Sequence, residues 1–196
     1  MTSRRRRCPS WVAVALASFV VFGCTHSPAA QVKSDMAVMV KEGGPQRMID
    51  RAKAFAAIGD TTRAEQYFAA ALNAGADERV VIPYLLTVCA QDGRYRVAIQ
   101  YAEAYLKSHP NDISVRFVLG ALYSAVGEDA PAREALRTVV DARPEDADAH
   151  YALGVLLRDN EHDYVGADQQ FREYLRLKPR GVHAEEAEAS LLKSVQ

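Results

Sequence analysis

The sequence has few cysteines, almost no net charge and no long apolar run. Each of these features, if present, would point to a specific class of protein. Its 196 residues contain only three cysteines, and the formal net charge is -1. The apolar run at residues 11–22 is twelve residues long. As a helix it would span about 18 Å, whereas a bilayer core is about 30 Å thick. These scarcities argue against a disulfide-rich scaffold, a basic nucleic-acid-binding protein and a membrane-spanning helix.

The N-terminus has the pattern of an export signal. Four arginines at residues 4–7 precede the short apolar run, and small residues follow it, as in secretory signal peptides. Residues 21–24, Val-Phe-Gly-Cys, resemble a bacterial lipobox, in which the cysteine is lipidated and becomes the new N-terminus. The resemblance implies a lipoprotein signal peptide over 1–23 and a lipidated N-terminus at Cys24 followed by a tether, together 24–44. A plain signal peptide cut elsewhere and a retained membrane helix are the alternatives.

Cleavage after residue 23 would change the charge balance. It removes four arginines and no acids, so Lys plus Arg falls from 24 to 20 against 25 acids, a formal net charge of -5. Nucleic acid is therefore excluded as a partner, because phosphate binding needs a basic face. With Cys8 removed and Cys24 lipidated, only Cys89 is left, so no intramolecular disulfide can form. Cys89 lies on an apolar helical face and is interpreted as a buried, small hydrophobic residue.

Proline recurs at a nearly constant interval in the rest of the chain. The interval from Pro110 to Pro144 and the interval from Pro144 to Pro179 are almost equal. Each segment cut at this period contains two stretches with helical apolar spacing, joined by a short turn. The segments are 45–78, 79–112, 113–146 and 147–181.

Small residues recur in register within these segments. One alanine position is shared by all four units, and one turn glycine is shared by the first three. Helices approach closely only where no bulky side chain intervenes. The pattern resembles the tetratricopeptide repeat, a 34-residue unit built from a pair of helices. The resemblance implies an all-α fold, a right-handed α-solenoid of four helix pairs. The alanines are Ala64, Ala98, Ala132 and Ala167, and the glycines are Gly59, Gly93 and Gly127.

The sequence departs from the repeat pattern in several ways. Pro83 lies inside the first helix of the second unit, where it removes a backbone hydrogen bond at a cost of about 3 kcal/mol. We therefore expect this helix to begin late, near Ile82, or to kink there. The turn of the fourth unit, residues 161–163, has one extra residue where glycine would sit. The aromatic side chain usual near the start of each unit is replaced by Met48, Ile82, Arg116 and His150.

The end of the array is predicted to be a capping helix over 182–196. Repeats bury their apolar faces only against neighbours, so the last repeat needs an end-piece with a polar outer side. Apolar side chains of this helix are expected to face the last repeat, and charged ones are expected to face water. The former are Val182, Leu191, Leu192 and Val195, and the latter are Glu185, Glu186, Glu188 and Lys193.

Sequence motifs of common enzyme classes are missing. The chain has no phosphate-binding glycine loop, no His-Glu-x-x-His and no Gly-x-Ser-x-Gly. The turn residues Asp159, Glu161, His162 and Asp163 have side chains that can bind metals, but a solvated polar loop is the simpler interpretation. The sequence therefore predicts a non-enzymatic protein with no cofactor, no metal site and no small-molecule substrate.

The first helix of each unit has a second face, opposite to the core. At about 100° per residue, repeat positions two, five, six, nine and thirteen point into the concave groove of the solenoid. Apolar and aromatic residues dominate these positions in the last three units. Packing on the tether or on a neighbouring helix is the alternative to a binding site. The predicted partner-binding residues are Tyr84, Thr87, Phe117, Ala121, Tyr151 and Val155.

The two resemblances together imply a membrane-anchored scaffold for protein–protein interaction. Similar lipid-anchored tetratricopeptide proteins include the pilotins of type IV pilus secretins. The predicted role is therefore assembly of an envelope complex for pilus, secretion or motility function. A regulatory subunit of a periplasmic cell-wall enzyme is the alternative. Because residue 25 is threonine and not aspartate, resemblance to bacterial sorting rules implies the outer membrane, facing the periplasm, with the inner membrane or the cell surface as alternatives.

Overall fold

The computed structural model describes residues 43–192, and within this part the chain forms nine helices and no strands. The predicted signal peptide and nearly all of the predicted tether lie outside the described residues. The helices are α1 (Pro45–Ala57), α2 (Thr61–Asn73), α3 (Glu78–Gln91), α4 (Tyr95–Ser108), α5 (Ile113–Ala125), α6 (Asp129–Ala142), α7 (Ala147–Asp159), α8 (Tyr164–Leu177) and α9 (Ala184–Ala189).

The first eight helices form four pairs, and each pair stacks on the next. The predicted all-α solenoid of four helix pairs followed by a C-terminal helix is confirmed. No helix within residues 43–192 has the length and apolar character that crossing a membrane requires.

Aspartate starts five of the described helices. Its carboxylate accepts a backbone N–H from the first turn, which has no partner within the helix. Asp112 and Asp146, at equivalent positions of successive units, begin α5 and α7 in this way. The repeated aspartate therefore sets where the first helix of a unit starts. The capping residues are Asp60, Asp77, Asp112, Asp146 and Asp163.

The turn within each pair uses left-handed backbone. Gly59, Gly93 and Gly127 have φ values of 78°, 68° and 76°, which glycine adopts without a clash of Cβ. In the fourth pair His162 takes this conformation, with φ of 57°. The extra residue of the fourth turn is thus accommodated without glycine.

The alanines predicted at the helix crossings are buried. Ala64, Ala98 and Ala132 are fully buried, and Ala167 is 2% exposed. Gly154 lies at an equally close approach, because a Cβ built there would be 2.8 Å from Cε1 of Phe171. The small residues therefore allow the two helices of a pair to approach closely.

Cys89 is buried within α3, as expected. Burial raises the pKa of its thiol to about 11. The reactive thiolate is therefore scarce at neutral pH, and Cys89 acts as a hydrophobic core residue.

Helix α3 runs through Pro83, beginning at Glu78. The expectation that it begins near Ile82 is therefore wrong. Asp77 accepts the backbone N–H of Arg79 at 2.9 Å and so stabilises the turn that precedes the proline. Val81, Ile82 and other apolar side chains of α3 are buried. Each such burial contributes about 1.5–3 kcal/mol, which together exceeds the cost of the hydrogen bond that proline removes.

Polar side chains fill the position where an aromatic residue is usual in two of the units. Arg116 donates from Nη2 to the carbonyl of Pro110 at 2.7 Å. His150 is buried, and its Nε2 lies 3.0 Å from the carbonyl of Pro144. Each side chain thus holds the loop that joins its own helix pair to the preceding one.

The C-terminal cap is shorter than predicted. Helix α9 has six residues, and residues 193–196, with Lys193 and Val195, lie outside the described part of the chain. Ala187 is fully buried, and Leu191 is partly buried against the core. Val182 and Leu192 are 93% and 46% exposed, so their expected inward placement is wrong. The helix begins after Val182 and ends before Leu192, so its short apolar face includes neither.

Candidate binding groove

Helices α3 and α5 each bury one side and expose the other. On α3, Leu85 and Cys89 are fully buried, whereas Tyr84 and Thr87 are exposed. The 3.6-residue helical period places these two sets on opposite sides. Helix α5 is divided in the same way, with Val115, Leu119 and Leu122 buried and Ser114, Val118 and Ala121 exposed.

An open pocket of about 570 Å³ lies between the exposed sides of α3 and α5. Its apolar part is formed by Pro83 and Leu86 from α3 and by Val118 from α5. Arg79 and Asp112, of opposite charge, also line it. Such a pocket can hold several apolar side chains of a bound segment. The other lining residues are Thr87, Ala90, Gln91, Ser114 and Val115.

Two further apolar side chains of α3, Val80 and Tyr84, are exposed without lining the pocket. Val80 is 46% exposed, Tyr84 is 43% exposed and Val118 is 37% exposed. Residues 80, 84 and 87 follow the spacing that places side chains on one helix face. Val80 and Val118 were missed by the sequence-based site, although they occupy repeat positions two and six, which the same rule selects.

Tyr84 is held in place from two sides. Its ring stacks on Phe68, with 5.8 Å between the ring centroids. Nζ of Lys53, on α1, lies 4.4 Å from the centroid of the Tyr84 ring. A tyrosine fixed in this way loses little conformational freedom on binding a partner, which suits an anchor residue.

The predicted residues further along the array are more enclosed. Ala121 is exposed, but Phe117 and Val155 are half-buried against the second core cluster. Phe117 precedes Val118 by one residue, and the helical rotation of about 100° turns it away from the pocket and towards the next pair. The six predicted residues therefore do not meet at one pocket.

Tyr151 is covered by the C-terminal segment. Its ring stacks on His183, with centroids 3.9 Å apart, and its hydroxyl donates to Glu186 at 2.5 Å. Burial, followed by this hydrogen bond, raises the pKa of Tyr151 to about 12. Arg158 donates to Glu186 at 2.9 Å and to Ser190 at 2.5 Å. The groove therefore ends at α7, where the cap occupies the surface that a further repeat would use.

The acidic turn between α7 and α8 uses its side chains for structure. Glu161 forms an ion pair with Arg133 at 2.6 Å, which links this turn to α6 of the preceding pair. Asp163 caps α8 through the backbone N–H of Gly166. Within residues 43–192, no group of three or more His, Cys, Asp or Glu side chains is arranged to hold a metal ion.

Acidification is expected to weaken the attachment of the cap. Hydrogen bonds from Tyr151 and then Arg158 lower the pKa of Glu186 from its usual 4.5. A carboxyl group whose pKa is lowered by folding stabilises the fold fully at pH above 4.5, and this contribution is lost as pH falls through the folded pKa. Glu186→Gln is expected to lower the melting temperature at pH 7 and to have little effect at about pH 3.

Thermal melts of the parent and Glu186→Gln at both pH values test this expectation. Glu185→Gln, on the exposed side of the same helix, is the matched control and is expected to leave the melting temperature unchanged. An equal effect of Glu186→Gln at both pH values would contradict the role of the ionised carboxylate.

The sequence pattern described as tetratricopeptide repeat matches residues 90–156. A search of curated proteins gave no match. Among solved structures, a tetratricopeptide repeat protein from Parabacteroides merdae ATCC 43184 is similar, with a TM-score of 0.67 and 24% identity. That match covers 74% of this chain and 58% of the other, so this chain spans less than two thirds of that protein's length.

Two further solved structures have the same architecture. MamA from Desulfovibrio magneticus RS-1 is 20% identical, with a TM-score of 0.65 over 79% of this chain and 89% of that chain. YrrB, described as a TPR protein with an unusual peptide-binding site, is 19% identical, with a TM-score of 0.67 over 82% and 85%. At these identities the similarity shows the fold. The chain therefore has the tetratricopeptide repeat fold, an all-α solenoid of four helix pairs, and carries the family's sequence pattern over residues 90–156.

Proposed function

We propose that this protein is a non-enzymatic scaffold that binds a segment of a partner protein in the groove between α3 and α5. The observation that carries the proposal is the open pocket of about 570 Å³, which Val118 lines, together with the exposed Val80 and Tyr84 on α3. Contiguous exposed apolar surface on a protein commonly marks an interaction site. The structural neighbour YrrB is described as having a peptide-binding site, which supports the same type of role.

The groove favours an extended or helical segment with apolar side chains. Pro83, Leu86 and Val118 offer apolar contacts, and Arg79 and Asp112 offer charges of opposite sign for orientation. Segments of this kind are recognised through apolar anchors placed at regular spacing. Aromatic anchors carry a large share of binding energy, so Tyr84, exposed on the same helix as Pro83 and Leu86, is the proposed anchor.

The proposed location is the outer membrane, facing the periplasm, with lipid on Cys24. This part of the proposal is supported by the signal-like sequence of residues 1–23 and by the cysteine that follows it. A scaffold anchored there would act in assembly of an envelope complex, such as pilus, secretion or motility machinery. A protein partner and the membrane are thus the two proposed contacts of the chain.

Site-specific photocrosslinking in cells of the native host tests the groove. A benzophenone side chain at Thr87, which is exposed in the pocket, is expected to give a discrete adduct with a partner protein. Val118→Asp places a charge among apolar contacts and is expected to reduce this adduct about tenfold or more, which corresponds to about 1.4 kcal/mol of binding. Circular dichroism is expected to show unchanged helix content, because Val118 is 37% exposed.

Val165→Asp is the matched control. Val165 is a 63% exposed valine on α8, the second helix of the fourth pair. Because it lies outside the groove, this change is expected to leave the adduct intact. Survival of the adduct in Val118→Asp would contradict binding through the apolar lining of the pocket.

A further inference from the structure

We propose that, without a partner, the groove between α3 and α5 is occupied by residues 34–40 of the same chain. This segment reads Ser-Asp-Met-Ala-Val-Met-Val and precedes the described fold by two residues. The proposed contact forms within one molecule. Its regulatory consequence, competition with a partner segment, rests on the proposed function.

The chain enters the fold close to the groove. Gly43 has φ of 139°, a conformation that favours glycine and lets the chain change direction just before α1. Helices α1, α3 and α5 are the first helices of successive pairs, so they begin at the same edge of the solenoid. Arg79, in the first turn of α3, and Asp112, the cap of α5, line the pocket at this edge. Gly43, the first described residue, therefore lies at the edge of the solenoid where the groove opens.

The connecting length is sufficient. Packed helices lie about 8–10 Å apart, so the space between α3 and α5 is roughly 12–15 Å from α1. An extended chain covers about 3.3 Å per residue, so the five residues from Val38 to Gly43 can span about 17 Å. Met36 and Val38 can thus enter the pocket while α1 keeps its place.

The segment matches the chemistry of the groove. Met36, Val38 and Val40 alternate, so an extended chain places them on one side. That side is complementary to the apolar Pro83 and Val118, and methionine adapts well to an irregular surface. The side chain of Arg79 is 70% exposed. It is therefore accessible to the carboxylate of Asp35 in this segment.

Covalent connection makes even a weak contact effective. A short linker gives an effective concentration in the millimolar range, so a segment with a millimolar dissociation constant would still occupy the groove for a large fraction of the time. A partner must then displace the segment. Its apparent affinity for the groove is therefore reduced in proportion to the fraction of molecules whose groove is free. The tether would thereby make binding selective for strong or locally concentrated partners.

Photocrosslinking from the segment itself tests the contact in the full-length chain. A benzophenone side chain at Val38 is expected to give a product within one molecule, which mass spectrometry maps to residues 83–91 or 114–118. Val118→Asp is expected to abolish this product, and Val165→Asp is expected to retain it. Products that map to other helices, or that form only between two copies of the chain, would overturn the proposal.

A second measurement separates this inference from the proposed function. Met36→Asp combined with Val40→Asp is expected to increase the partner adduct formed from a probe at Thr87, because the competing segment is weakened. An unchanged adduct would overturn the regulation. No partner adduct from Thr87 in any variant, with the Val38 product still formed, would overturn the proposed function and leave the intramolecular contact standing.

Discussion

Replacement of Phe171 by alanine is expected to lower the free energy of unfolding by about 3–5 kcal/mol. Phe171 is fully buried on α8 and lies against Gly154 of α7. Its ring centroid is 6.0 Å from that of Tyr151, and the guanidinium of Arg158 lies 5.3 Å from the ring. Removal of the ring leaves a cavity where two helices and the residues that hold the cap meet. Urea denaturation followed by circular dichroism measures the loss.

A double-mutant cycle with Gly154 makes this expectation specific. A Cβ at Gly154 would lie 2.8 Å from Cε1 of Phe171, so Gly154→Ala alone is expected to destabilise the fold despite a helix-propensity gain of about 1 kcal/mol. In the Phe171→Ala background this clash is absent, so Gly154→Ala is expected to stabilise the fold. Additive effects of the two changes would contradict this contact, because residues that touch show coupling. Phe55→Ala, at a half-buried ring, is the matched control with a smaller expected loss.

Cys24→Ala is expected to abolish membrane attachment through lipid. A single acyl chain holds a protein only marginally, whereas two or three chains anchor it stably. The variant is therefore expected to remain unprocessed or to fractionate with soluble proteins, and the mass of the processed parent is expected to include the acyl groups. Membrane fractionation and mass spectrometry of the purified chains measure both effects.

Cys8→Ala is the matched control for this substitution. Cys8 lies in the segment that cleavage would remove, so its replacement is expected to change neither processing nor membrane attachment. A Cys24→Ala chain that is processed and fractionates with membranes like the parent would contradict the lipoprotein hypothesis.

The fold was predictable because its signals are local and repeated. Ala64 and Ala98 mark helix crossings, and Gly59 and Gly93 mark turns, with the members of each pair one repeat apart. Every unit has an alanine at its helix crossing, so a departure from the repeat pattern in one unit is outweighed by agreement in the other units. Pro83 shows the limit of a local rule, because burial of the surrounding side chains keeps α3 helical through the proline.

The candidate site was only partly predictable. Tyr84 and Thr87 were selected by helical periodicity; both are exposed, and Thr87 lines the pocket. Val118 lines the pocket but is not among the predicted residues, whereas the predicted Phe117 is turned towards the next pair. Periodicity gives the direction of a side chain from its own helix, and it does not say whether a neighbouring element covers that direction.

The sequence by itself determined the helix pairs, their repeat register and the small residues at their crossings. These features depend on contacts within one unit or between adjacent units, so the spacing of residues is sufficient to predict them. Only the tertiary structure decided which part of the concave side is available. The short cap brings His183 and Glu186 onto Tyr151, which lies on the first helix of the preceding pair. That contact depends on how the end of the chain folds back, so it closes the groove at α7 in a way that no local pattern encodes.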